Sequence, residues 1–262
     1  MSLRPITSTQ LATPTLEGAG VKLHRAFGFQ NPDQFDPFLL FDDFRNDQPE
    51  DFQAGFPWHP HRGIETITYV LDGTVEHGDS LGNQGTLGAG SVQWMTAGSG
   101  ILHQEMPKGN ARGQMHGFQL WANLPGALKM TAPRYQDIQG IPAGVRKTLP
   151  VDTYRKAFAY VFEGAAQFRD ASTPAGVLVE KELAGQEVNI RDQSGNRTLV
   201  QFGSGSEITV QAGDTGVRFL LISGAPIQEP IAWHGPIVMN TQEEIKQAIT
   251  DLKNDTFIKA RH

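Results

Sequence analysis

The chain contains no cysteine. Disulfide frameworks, nucleophilic thiols and thiolate metal sites are thereby excluded together, and any metal must be held by imidazole nitrogen and oxygen ligands. An excess of basic residues is also missing: 22 Lys and Arg stand against 28 Asp and Glu, giving a formal charge of −6 and a pI near 5.7. A protein that grips a phosphate backbone or an anionic bilayer needs the opposite balance, so no direct nucleic-acid or membrane partner is expected. Apolar runs such as Phe38 to Phe41 and Phe219 to Ile222 are far too short to span a bilayer, and the first twenty residues hold no continuous apolar stretch of the signal-peptide kind. The expectation is a soluble, unprocessed, cytoplasmic chain. Two nucleophile or phosphate motifs are incomplete. Gly98-Ser99-Gly100 is followed by no lysine at phosphate-loop spacing, and Gly78-Asp79-Ser80-Leu81, which spells a lipase nucleophile block, has no Asp-x-x-His anywhere after it. The first reads as a bend that presents His103 and the second as a tight turn.

What is abundant is punctuation. The 29 Gly and 16 Pro divide short segments rich in Val, Ile, Thr, Phe and Tyr with period-two alternation. Strands are predicted over residues 64–71, 91–96, 101–106, 115–124, 157–162, 197–202 and 217–223, a spacing that suits sandwiches or barrels. An internal echo aligns Tyr69 to Asp79 with Tyr160 to Asp170 without a gap, each reading strand, acidic-Gly turn, strand. That grammar predicts two similar β domains, 1–145 and 146–262, dividing near Pro142 to Pro150. Thr241-Gln242-Glu243-Glu244 is a capping box opening a C-terminal helix whose apolar stripe is Ile245, Ala248, Ile249 and Leu252, expected to pack on the surface of a barrel.

The chemistry is concentrated in the first half. If the strand at Ile64 is continued backwards, residues 59, 61, 63 and 65 share one face, because side chains alternate. His59 and His61 then point the same way, and His103 and Glu105 repeat the i, i+2 spacing about forty residues on. Two such pairs on facing strands give three imidazoles and one carboxylate. Without a cation each such buried polar group costs on the order of 1–3 kcal/mol or more, so one metal ion is expected. Glu65 shares the predicted face and is an alternative to Glu105; its other role is to orient a neighbour. His24, His77, His116, His234 and His262 lack a partner at strand spacing, and His116 alone lies on a strand that could line the same barrel. Trp58, Trp94, Met95 and Trp121 are candidates for the pocket wall.

The block Phe56-Pro57-Trp58-His59-Pro60-His61-Arg62-Gly63-Ile64-Glu65-Thr66 resembles the first metal block of the pirin family, and Gln93 to Glu105 resembles its second. The segments Asp36 to Phe44 and Gly235 to Thr241 are similar as well, so the likeness runs from about Gly18 to Leu252. Trp58 and Ile237 are mild departures that leave the ligand positions intact. The resemblance implies an all-β bicupin, two cupin-type β-barrels with a short C-terminal helix. It implies Fe(II) held by His59, His61, His103 and Glu105, with Glu65 a near neighbour only. Such a donor set also accepts Mn, Ni, Cu, Co or Zn. The second-half positions equivalent to His59 and His61 are Pro150 and Asp152, so that barrel is expected to hold no metal. Two activities follow from the resemblance. One is a quercetin (flavonol) 2,3-dioxygenase that takes a flavonol and O₂ and releases carbon monoxide, with Glu105 accepting the flavonol proton. The other is an iron-binding, redox-sensing regulator with a transcription factor or metabolic enzyme as protein partner. A monomer is expected in either case.

Overall fold

The computed structural model describes residues 4–138, 154–168, 182–183, 186–187, 193–208 and 210–259. Two compact units form: a larger one from Thr13–Arg146 with Ile227–His262, and a smaller one from Met1–Ala12 with Lys147–Pro226. The sequence division at 145/146 allots both termini the other way. The reason lies in pairing that no local pattern announces: the strand Ile6–Leu11 runs antiparallel to Thr198–Phe202, and the C-terminal helix packs among strands of the larger unit. The expected boundary, Pro142 to Pro150, lies outside the described residues, as do Pro150 and Asp152.

The larger unit carries two large antiparallel sheets and the two-stranded pair Ala232–His234 and Ile237–Met239. One has seven strands in the order Arg134–Ile138, Val92–Thr96, Ile64–Asp72, His116–Asn123, Phe38–Asp43, Val21–Phe27, Thr13–Glu17; the other has four, Phe56–His61, Ile101–Lys108, Thr74–Asp79, Gln84–Leu87. Along Ile64–Asp72 burial alternates, with Ile64, Thr66, Thr68 and Val70 turned inward, and Ile101, His103, Glu105 and Pro107 do the same on their strand. Val21, Leu23, Phe44, Phe52, Val70, Val75, Leu87 and Met115 form one apolar cluster, and Leu39, Ile64, Met95, Ala97, Ile101 and Val238 another.

The chain passes from the small sheet to the large one at Arg62-Gly63. Gly63 has φ of +78°, and a Cβ built on it would stand 1.9 Å from the Val238 carbonyl oxygen. Its own carbonyl accepts from Lys129 Nζ at 3.0 Å, an ammonium that also donates to Val238 O and Asn123 Oδ1; burial pushes that ammonium down to about 8. The turn therefore has neither the dihedral freedom nor the space for a side chain. Gly63→Ala is expected to cost about 2–5 kcal/mol, combining left-handed strain with overpacking, read as a lowered urea midpoint at unchanged slope.

In the smaller unit Ile6–Leu11, Thr198–Phe202, Lys156–Phe168 and Gln193–Gly195 neighbour one another in that order, and Val210–Gly224 also pairs with Lys156–Phe168. The echoed glycines correspond: Gly73 has φ of +77° and Gly164 of +70°. Their uses differ. At Gly73 the chain changes sheets, whereas Lys156–Phe168 runs through Gly164 as one strand with shifted register on either side. Arg169 and Asp170 lie outside the described residues. The helix Gln242–Lys253 has the predicted capping box, and Ile245 and Ala248 pack with Ala232, Ile237, Met239 and Phe257. Among the described residues no helix is long and apolar enough to cross a membrane.

Candidate metal centre

His59 and His61 stand on Phe56–His61, and His103 and Glu105 on the adjacent, hydrogen-bonded strand Ile101–Lys108 rather than on one facing it. His103 is paired directly with His59, so the two rings meet across neighbouring strands with centroids 4.3 Å apart. A register shift between His103 and Glu105 sets Glu105 opposite Phe56, a bulge of the kind that re-aims a side chain beside a site. Ligand atoms of His59, His61 and His103 all lie within 4.8 Å of one another. Glu105 is not part of that cluster. It lines the same cavity, and its Oε1 accepts from Thr68 Oγ1 at 2.8 Å.

The donor chemistry fits a cation. His59 Nδ1 lies 2.8 Å from the Pro57 carbonyl and His61 Nδ1 3.1 Å from that of Pro236, so each places its proton on Nδ1 and keeps an Nε2 lone pair. Those two Nε2 atoms are 3.1 Å apart. With both Nδ1 protons committed, no proton remains to bridge two lone pairs at that distance. Two nitrogens bound at about 2.0–2.1 Å to one ion would be separated by about 3 Å, as these are. His103 is 0% exposed, and neither ring nitrogen has a hydrogen-bond partner. Burial pushes all three imidazoles below the usual histidine range, strongly for His61 and His103, so they are neutral and ligand-competent at neutral pH. Glu105 faces an apolar surround that includes Phe44, Phe56 and Val75, and burial pushes its carboxyl up to about 7, against the hydrogen bond from Thr68.

Glu65 belongs elsewhere. The reversal at Gly63 ends the run of shared faces, and Glu65 sits on the outward-facing positions of the large sheet, accepting from Trp94 Nε1 at 2.9 Å and Thr96 Oγ1 at 2.7 Å. Trp94 is consequently 40% exposed on that outer face, Met95 is core, and Trp58 is 53% exposed. Of the four pocket-wall candidates only Trp121 lines the cavity, edge-on to His61 with centroids 5.1 Å apart. His116 meets Phe118 edge-on and is not in the cluster.

Sequence patterning passed over His77. It is buried on Thr74–Asp79, opposite Glu105, with its ring 5.5 Å from that of His103 and its Nε2 3.5 Å from Asp79 Oδ2. The signal was present, because Asp79 is the i+2 partner that His77 was judged to lack. Asp79 also caps the turn expected at Gly78 to Leu81, accepting from the Leu81 and Asn83 amides. Arg25, Asp42, Gln119 and Glu17, from four other strands, add to the polar lining of the cavity, whose volume is about 400 Å³. Arg25 holds Asp42 through paired bonds of 2.8 and 2.7 Å and reaches Glu17 at 2.9 Å.

Antiparallel sheets with inward-facing histidines on adjacent strands, opening on an apolar cavity, define a cupin-type protein with a candidate metal site. The pirin family model matches residues 20–122, and that of the pirin C-terminal cupin domain matches residues 135–258. The chain belongs to the pirin family, and its fold is a bicupin. It is 41% identical to a pirin-like protein of Caulobacter vibrioides, over 98% of this chain and all of that one, and 34% identical to pirin of Homo sapiens, over 97% and 93%. The crystal structure of a quercetin 2,3-dioxygenase from Acinetobacter baumannii superimposes with a TM-score of 0.78 at 28% identity, covering 98% of this chain and 99% of that one.

Proposed function

We propose that the larger unit is a metal-dependent flavonol 2,3-dioxygenase, with Fe(II) held by His59, His61, His103 and Glu105. The observation that carries this reading is the convergence of three neutral imidazoles, two of them fully buried, beside a cavity that also holds the buried carboxylate of Glu105. Likeness to the Acinetobacter baumannii dioxygenase supports the substrate class. A divalent metal with open positions supplies polarisation of a bound oxygen and a place for O₂.

The chain's own groups account for the rest. Glu105 lines the cavity together with His59 and His61, and it is assigned to take the proton of the flavonol 3-hydroxyl. Trp121 offers an aromatic wall next to His61, continued by Trp233 at 6.2 Å and Phe29 at 4.5 Å from Trp233. Flat rings suit such a wall. A cavity of about 400 Å³ falls within the range of small-molecule sites.

Iron-loaded protein is expected to bleach quercetin only in the presence of O₂, with carbon monoxide as co-product. Glu105→Gln should lower kcat by about 10²–10⁴-fold, the usual worth of a general base. Absorbance at the flavonol band, followed aerobically and anaerobically, reads the result. Bleaching that persists without O₂ would show that the spectral change is not the dioxygenase reaction. No bleaching by fully loaded wild type would move the assignment to the redox-sensing regulator, for which pull-down from native extract finds the partner.

A further inference from the structure

We infer that Gln119, Thr68 and Glu105 form one hydrogen-bonded chain in which Thr68 positions the Glu105 carboxylate and Gln119 selects ligands bearing a hydroxyl donor. The inference rests on the metal-site reading above and extends it to two residues outside the ligand set. Thr68 Oγ1 lies 2.8 Å from Glu105 Oε1 and also 2.8 Å from Gln119 Oε1. A threonine hydroxyl carries one hydrogen and cannot donate to both. With Glu105 as the carboxylate that a ligand or a base must be, that hydrogen belongs to Glu105. The Gln119 amide must then turn its Nε2 to the Thr68 oxygen, since the oxygen and nitrogen of an amide are assigned by their network. Its Oε1 becomes the acceptor left over, and Gln119 lines the cavity.

Strand register gives the chain its setting. Thr68 is paired with Gln119, Gln119 with Asp42 and Asp42 with Arg25, so four polar side chains stand in one row across four neighbouring strands. Arg25 and Asp42 are committed to each other. Gln119 is the member of that row with an acceptor to offer, and Glu105, from the other sheet, closes the row at Thr68. Gln119 is half-buried, and an acceptor that a bound ligand covers and leaves unpaired penalises a ligand that lacks the matching hydroxyl. The ligand class is therefore a flat ring system with a hydroxyl beyond its metal-facing end.

The test uses the full chain loaded with Zn(II), which binds without redox chemistry. Metal affinity is measured by chelator competition, and binding of quercetin and of 3-hydroxyflavone, which keeps the 3-hydroxyl but lacks the hydroxyls of the two outer rings, by fluorescence. Thr68→Val should weaken metal retention about 10–100-fold, as loss of a ligand's hydrogen-bond partner does, whereas Thr68→Ser should restore it. If the valine variant does not fold, Thr68→Ala is expected to show the same loss. Gln119→Leu should weaken quercetin about tenfold, the scale of one lost hydrogen bond, and leave 3-hydroxyflavone nearly unchanged. Wild-type metal affinity in Thr68→Val or Thr68→Ala, or equal weakening of both flavonols in Gln119→Leu, would overturn the inference. Should neither flavonol bind wild type, the flavonol reading fails and the Gln119 role with it, while the metal arm still decides the role of Thr68.

Discussion

His103→Ala is expected to abolish stoichiometric metal, with elemental analysis falling from about one equivalent per chain to less than about a tenth. The loss should exceed the ~10–100-fold of changes beyond the ligands, because this ring is enclosed and its nitrogens have no other partner. His61→Ala should behave alike. Glu65→Gln should retain the metal, since its carboxylate bonds Trp94 and Thr96 on the outer face. Retention has a predictable pH dependence. The imidazoles are pushed below the usual histidine range and do not compete for protons near neutrality, whereas the Glu105 carboxyl is raised to about 7. Below that value a proton must leave Glu105 for it to bind, so affinity should fall as pH drops through 7 and level off above it. A bound ion also stabilises the native state by mass action, about 2.7 kcal/mol at a hundredfold excess over Kd, so chelation should lower the thermal midpoint of wild type and leave that of His103→Ala unmoved. A His103→Ala protein that keeps a full equivalent would remove the assignment.

Much of this site was legible because period two is a strong signal in strands buried on one face. His103 and Glu105 follow directly from alternation along Ile101–Lys108, and His59 with His61 from the same rule. Where the rule was carried across Gly63 it failed, because a residue at φ of +78° changes sheets, and nothing in the i, i+2 count reports a dihedral. That one turn misplaced Glu65, and the pairing of Thr96 with Glu65 took Trp94 to the outer face as well. The pairing at the N-terminus is likewise out of reach of a local pattern: Ile6–Leu11 owes its position to Thr198–Phe202, nearly two hundred residues away. Arg25, Asp42 and Gln119 converge through sheet order alone, which a linear pattern does not carry. His77 differs from these. Its strand spacing to Asp79 was readable, and only the search for a second histidine or glutamate hid it.

Arg62, the residue after His61, is expected to give the largest loss of stability among the charged side chains. It is 2% exposed, and each arm of its guanidinium meets a different segment: Nε donates to Ser99 O at 2.8 Å, one terminal nitrogen to Asp251 Oδ2 at 2.7 Å, and the other to Phe257 O at 2.8 Å. The group also lies 4.1 Å from the centre of the Phe257 ring. One side chain thus joins the end of the His61 strand, the bend before His103, the C-terminal helix and the segment after it. Burial works to raise the Asp251 carboxyl, but hydrogen bonds from Arg62, Gln247 and Lys259 hold it well below the usual carboxylate range. A depressed native value stabilises the fold above the unfolded value of about 3.9, and this contribution is lost as pH falls through the native value, so the pair should be constant from pH 5 to 8 and fail in acid. Arg62→Met leaves a buried carboxylate short of its main partner, and Asp251→Leu strands a buried guanidinium; each should cost about 3–5 kcal/mol. Arg62→Lys should recover little, because an ammonium cannot reach three acceptors set by a planar fork. The double replacement Arg62→Met with Asp251→Leu should cost clearly less than the sum of the singles, since neither charge is then left behind. Urea midpoints of the four proteins close the cycle. Single losses that simply add would show that the two charges are held independently, and the pair would no longer account for how the helix is fastened to the strand that carries His59 and His61.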